Sequence, residues 1–278
     1  MRRKDIQICI MRVGGTNCDE ETRRAFGDLG VKAEVVHVKR FIEKQNLLDY
    51  DGLVFPGGFA YGDYVRAGAI WADLLKDELG NLLKEFVETG RPVLGICNGY
   101  QVLVETGLLP GFETTDDSPE MALAGNVPTG YRCTWASVDD YLYLKNESSG
   151  KCIFTRAVPK GRLLRMPIAH AEGRALFPKR KEKDYFRKLM DNDQIVFRFA
   201  RPDGTYAEET YPYNPNGSMW DIAGICNSNG TVMGLMPHPE RAFFGYQLPD
   251  WTQSQRLQSY GDGKLIFESM TNYISKNK

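Results

Sequence analysis

Residues 93–101 read VLGICNGYQ. An apolar run ends in Gly95-Ile96-Cys97-Asn98-Gly99, and a helix-compatible stretch follows. This is the strand, tight turn and helix of a nucleophile elbow, with cysteine at the apex. Such a turn lifts its central side chain clear of the sheet. Glycines flank it because a Cβ there would collide with the turn or the next strand. The pattern predicts Cys97 as a nucleophile, with the backbone N–H of Asn98 aimed at the place where an oxyanion forms. The positive end of the following helix favours a thiolate there.

A thiol nucleophile needs a base that takes its proton and returns it to the leaving group. The chain has three histidines, His37, His170 and His238. His238 is the best placed, because Thr231–Met236 (TVMGLM) reads as a buried strand and runs directly into Pro237-His238-Pro239-Glu240-Arg241. A residue before proline is held extended. In an extended segment, residues two apart share a side, which sets Glu240 beside His238 to orient its ring. The expected triad is Cys97, His238 and Glu240. Further upstream, the strand-like Leu53-Val54-Phe55 ends in Pro56-Gly57-Gly58. Adjacent glycines there let the backbone turn N–H groups toward a substrate. Gly58 is the expected second oxyanion donor beside Asn98, and Gly57 is expected in the substrate-binding wall.

The first half of the chain alternates. Residues 6–13, 33–38, 51–56 and 92–97 read as strands, and 19–30 and 69–90 as helices closed by Gly30 and Gly90. Strands separated by helices of this length imply parallel pairing with helices on both faces. In such sheets substrates bind beyond the carboxyl ends of the strands, where Cys97, Gly57-Gly58 and His238 all fall. From about 130 to 230 the rhythm changes. Residues 131–138, 151–158, 195–200 and 222–226 read as strands with turns between and without clear helices, so a more antiparallel extension is expected. Lys179-Arg180-Lys181-Glu182-Lys183 is the one basic cluster, and it reads as a solvated face.

These motifs together resemble the class I, triad-type glutamine amidotransferases, through GICNGYQ and the distant HPE. Several segments narrow the resemblance: Gly15-Thr16-Asn17-Cys18-Asp19, PGGFAYGDYVRAGA at 56–69, Pro167-Ile168-Ala169-His170-Ala171-Glu172-Gly173, and NPNGS at 214–218. They are similar to the glutaminase subunits of phosphoribosylformylglycinamidine synthases, over about residues 6–270. Two departures stand out, Gly14 where that family usually has proline and Ala171 where it commonly has glycine. The resemblance implies one domain over 1–278 with a flavodoxin-like α/β fold, a central, mostly parallel sheet with helices on both faces and an added antiparallel region. It implies hydrolysis of glutamine to glutamate and ammonia, with Gln101, His170 and Glu172 joining Gly57 in binding glutamine. It also implies a partner synthetase subunit, a small third subunit, and little glutaminase activity in the isolated chain. It gives no role to residues 174–213 or 243–263.

The sequence also excludes several classes. A formal net charge of −1 does not suit a nucleic-acid binder. No apolar run is long enough for a membrane span, and the charged, interrupted start is not a signal peptide, so a cytoplasmic location is expected. The six cysteines lack C-x-x-C pairing and read as free thiols without a metal site. No Gly-x-x-x-x-Gly-Lys-Ser/Thr loop occurs. No cofactor is therefore expected in this chain, and ATP and magnesium fall to the synthetase. Two other readings compete. A stand-alone cysteine hydrolase would lack the late H-P-E. A non-catalytic subunit would have lost a triad member.

Overall fold

The computed structural model describes residues 1–112, 120–135, 141–252 and 258–277. Strands β1 (Gln7–Arg12), β2 (Lys32–His37), β3 (Gly52–Phe55) and β4 (Val93–Ile96) alternate with helices α1 (Asp19–Asp28), α2 (Lys39–Glu43), α3 (Ala69–Glu88) and α4 (Asn98–Glu105). Short strands follow: β5 (Ala122–Gly125), β6 (Arg132–Thr134), β7 (Tyr143–Asn146), β8 (Leu163–Arg165), β9 (Ile168–His170) and β10 (Glu172–Leu176). The chain ends with α5 (Glu182–Asp191), β11 (Ile195–Ala200), β12 (Ile222–Cys226), β13 (Val232–Leu235) and α6 (Lys264–Asn277).

Nine strands form one sheet in the order β2-β1-β3-β4-β13-β12-β11-β7-β8. The pairs from β2 to β13 are parallel, and those from β13 to β8 antiparallel. The parallel part has the flavodoxin-like order, with β13 as its fifth strand. Two small antiparallel sheets, β10-β5 and β6-β9, stand apart from it.

Side-chain alternation places the helices. A Cβ on Gly52 would meet Met270 and Ile274 of α6. Phe55, an odd number of residues further along β3, packs edge-on against Trp71 of α3 with ring centroids 5.5 Å apart. In a strand these two positions face opposite ways, so α6 and α3 cover opposite faces of the sheet. Phe26 of α1 joins Phe267 of α6 at 5.1 Å. The strands between are fully buried, as a doubly covered parallel sheet requires. Among the described residues, no helix is long and apolar enough to cross a membrane.

The second half differs from the sequence expectation at three places. Residues 151–158 are not a strand. Ile153–Thr155 form a 3-10 turn whose buried Ile153 and Phe154 imitate a strand's apolar run. The strand expected over 131–138 is only β6, and 136–138 lie outside the described residues. The region read as lacking helices contains α5, which buries Tyr185 and Leu189 four residues apart and turns its charges outward.

Candidate active site

Three neighbouring strands end at one place. β4 runs into Cys97, β3 into Gly57-Gly58, and β13 into His238. The Cys97 N–H donates to the Leu235 carbonyl at 2.8 Å, so main-chain atoms fasten the ends of β4 and β13 together. Cys97 has φ +50° and ψ −107°, the strained backbone of an elbow. Helix α4 lies close on the sheet because register partners Gly95 and Gly234 are both bare. A Cβ on Gly95 would stand 2.5 Å from Leu103 Cδ1, and one on Gly234 would enter the Tyr100 ring.

His238 is extended (φ −105°, ψ 92°), as its place between prolines requires. Glu240 reaches it by a different route from the extended geometry expected. Pro239–Ala242 form a 3-10 turn, which curls the carboxylate back to a 2.5 Å contact between Oε1 and His238 Nδ1. His238 and Glu240 are each 1% exposed. Buried His238 Nε2 has no hydrogen-bond partner among the described residues. Burial favours the neutral ring, but the charges of Glu240 and then Cys97 outweigh it and hold the ring well above its ordinary value.

The glycine loop is braced by the segment after β1. Phe59 N–H donates to Gly15 C=O at 2.9 Å, and the N–H groups of Asn17 and Cys18 to Gly57 C=O. These bonds make the Thr16–Gly58 bridge and leave the Gly58 N–H out of it. Gly58 has no room for a side chain, since a Cβ would fall 2.8 Å from Gly15 O. A Cβ on Gly57 would fall 2.8 Å from His238 Cε1, so the bare residue leaves room for the imidazole ring. The Asn98 side chain ties this loop to α4. Its Oδ1 accepts from Ala60 N–H at 3.2 Å, and its Nδ2 donates to Asp63 Oδ1 at 3.3 Å and Gln101 Oε1 at 2.8 Å.

A small cleft lies between the elbow and the glycine loop, lined by Cys97, Gly58, Gln101, His170, Glu172 and Asp63 among others. Gln101 is in its wall, but both amide ends are engaged, Oε1 with Asn98 and Nε2 with Glu172 C=O at 2.5 Å. Glu172 Oε2 accepts from Ala67 N–H at 3.0 Å.

Sequence spacing gave no sign of Cys18. Its Sγ accepts from Arg241 Nη2 at 3.1 Å and lies with Glu240 and His238 ligand atoms in a group within 4.8 Å of one another. Burial pushes the Cys18 thiol up to about 11, against the nearby His238. This trio has metal-ligand chemistry, but His238 Nδ1 and Glu240 Oε1 are spent on each other and a guanidinium sits beside the sulfur, which opposes a cation.

A family model described as a CobB/CobQ-like glutamine amidotransferase domain matches residues 5–274. The chain belongs to that family. The phosphoribosylformylglycinamidine synthase subunit PurQ of Archaeoglobus fulgidus is 49% identical, over 99% of this chain and 100% of the relative. The subunit of the same name from Methanothrix thermoacetophila is 40% identical over 98% and 100%. A chain in the solved structure of PurLQS from Thermotoga maritima superposes with a TM-score of 0.69 at 30% identity, covering 97% of this chain and 99% of that one. A solved protein from Thermoplasma acidophilum, described as a GMP synthase subunit, shares the fold at 15% identity and TM-score 0.53 over 98% and 94%.

In this amidotransferase His170 is 3% exposed. Its Nε2 faces Asn216 Nδ2 at 3.2 Å, a donor that suits a neutral ring. Burial, and next the charge of His238, push it down to about 3 from 6.5. Between those two values the unfolded chain binds a proton that the folded chain refuses. This contribution to stability is therefore complete above about pH 6.5 and is lost as pH falls toward 3. A His170→Gln variant is expected to be less stable at pH 7 yet to lose stability less steeply over that window. Urea melts at stepped pH measure it, and equal slopes for both proteins would contradict the assignment.

Proposed function

We propose that the chain, acting as one amidotransferase domain over 1–278, is the glutaminase subunit of phosphoribosylformylglycinamidine synthase. In this reading it supplies ammonia to a synthetase subunit that uses ATP and magnesium to convert formylglycinamide ribonucleotide to formylglycinamidine ribonucleotide. The observation that supports the chemistry is the placing of Cys97 at the end of β4, fastened to β13, which leads into the His238–Glu240 pair, with Cys97 in the wall of the cleft. The relatives named PurQ and the PurLQS chain, matched over nearly their whole lengths, support the pathway and the partners, a synthetase and a small third subunit.

The mechanism follows from the geometry. Cys97 Sγ attacks the side-chain carbonyl carbon of glutamine, and Nε2 of His238 is the nitrogen left free to exchange the proton. Negative charge then develops on the carbonyl oxygen. The N–H groups of Gly58 and of Asn98, at the start of α4, are the donors assigned to it. His238 protonates departing ammonia, while Glu240 holds Nδ1 and fixes the ring's orientation. Water, deprotonated by His238, then cleaves the thioester and releases glutamate.

Reconstitution tests this reading. The chain, the small third subunit and the synthetase are mixed with formylglycinamide ribonucleotide, Mg-ATP and glutamine. One glutamate is expected for each formylglycinamidine ribonucleotide formed. Product from ammonium chloride but none from glutamine would remove the glutaminase assignment. Glutamate release without ribonucleotide product would keep the chemistry and remove the pathway.

A further inference from the structure

We propose that Asp63 selects the substrate by its α-ammonium group, acting with Glu172 as the anionic end of the cleft. This rests on the glutaminase reading and adds a specificity-determining residue to it. Asp63 and Glu172 are the two carboxylates in the cleft wall, and no Lys or Arg lines it. Neither has an ion-pair partner among the described residues. The cation nearest in sequence, Arg66, is taken by both oxygens of Glu105, at 2.7 and 2.6 Å. Each carboxylate has one neutral donor, Asn98 Nδ2 for Asp63 and Ala67 N–H for Glu172, and each keeps an oxygen without one. Burial, and next the charge of Glu172, push the Asp63 carboxyl up to about 6, the mark of an anion lacking a counter-ion.

An independent feature points to the same ligand class. His170 lines the cleft, and its buried Nδ1 has no hydrogen-bond partner among the described residues. With Nε2 accepting from Asn216, Nδ1 carries the proton and offers a donor. The cleft thus has a thiol, a neutral imidazole and two carboxylates without an ion pair of their own in its wall. An amide, an α-carboxylate and an α-ammonium on one small molecule match that set, which describes a zwitterionic amino acid with an amide tail. The ammonium offsets one of the two negative charges that Asp63 and Glu172 bring to the cleft.

The test compares L-glutamine with glutaramate, which has hydrogen in place of the α-ammonium group, as substrates of the assembled complex. Wild type is expected to favour glutamine in kcat/KM by roughly 10⁴-fold, the scale on which a site built for a polar group rejects an analogue lacking it. Asp63→Asn should raise KM for glutamine by about tenfold or more with a much smaller change in kcat, and leave glutaramate turnover nearly unchanged, so the preference shrinks. Asp63→Glu should recover part of it. Equal losses on both substrates would show a merely structural role and overturn the proposal, as would an unchanged preference. A wild-type complex that hydrolyses neither substrate would instead overturn the glutaminase reading.

Discussion

Replacing Cys97 with serine is expected to lower glutamine-dependent synthesis by the assembled complex at least about 10³-fold, on the scale of nucleophile loss in other triad enzymes. Synthesis from ammonium chloride is expected to stay near the wild-type rate. The two atoms differ little in size, so the elbow, with its φ of +50°, is kept. What changes is nucleophilicity, since a hydroxyl beside the same histidine is far less ionised than a thiol. Formylglycinamidine ribonucleotide formation with each nitrogen source gives the answer. Unimpaired use of glutamine would show that Cys97 is not the nucleophile. Loss with both sources would show that the substitution damages the complex rather than the chemistry.

Gly99→Ala is expected to destabilise the protein by roughly 2–4 kcal/mol, at the upper end of overpacking effects. Alanine is intrinsically the better helix former by about 1 kcal/mol. Here the added Cβ would press on the Phe55 carbonyl oxygen of β3. Backbone lies on both sides of that contact, so no side chain can swing away. Helix α4 has to lift off the sheet, taking Asn98 and Gln101 with it. Gly27→Ala in α1 is the matched comparison, because its Cβ would meet nothing within 4 Å. It should be neutral or stabilising by up to about 1 kcal/mol. Urea midpoints at constant slope separate the two, and similar midpoints for both variants would refute the packing argument.

The parallel half of the fold is legible in the sequence because each element carries its own signal. Strands β1, β3 and β4 are apolar runs, and α1 and α3 are followed by glycines at φ +75°. The elbow and the H-P-E segment are equally local, and sheet order then brings them together. The antiparallel half is less legible for physical reasons. Strands β5 to β10 have three to five residues each, too few for alternation to show. The charges of α5 hide an apolar stripe made by only Tyr185 and Leu189. Cys18 touches Arg241 across 223 residues, a distance that no spacing rule spans. The binding role expected of Gln101 fails to anticipate that its amide is spent on Asn98 and Glu172. Such pairing depends on where β10 passes, which the local sequence does not encode.

The bond from Cys97 N–H to Leu235 C=O fastens the strand end that carries the proposed nucleophile to the strand that leads into the proposed base, through main-chain atoms alone. Every amino acid except proline provides those atoms. Side-chain replacements that leave the close packing of α4 on β3 and β4 intact therefore leave that bond in place. The loop carrying Gly58 and Asp63 is also braced by main-chain bonds at Gly57 and Phe59, but at Ala60 and Asp63 it is tied by the Asn98 side chain. In the proposed reading, the placing of the thiol and the imidazole belongs to the sheet, and the choice of substrate to side chains at its edge.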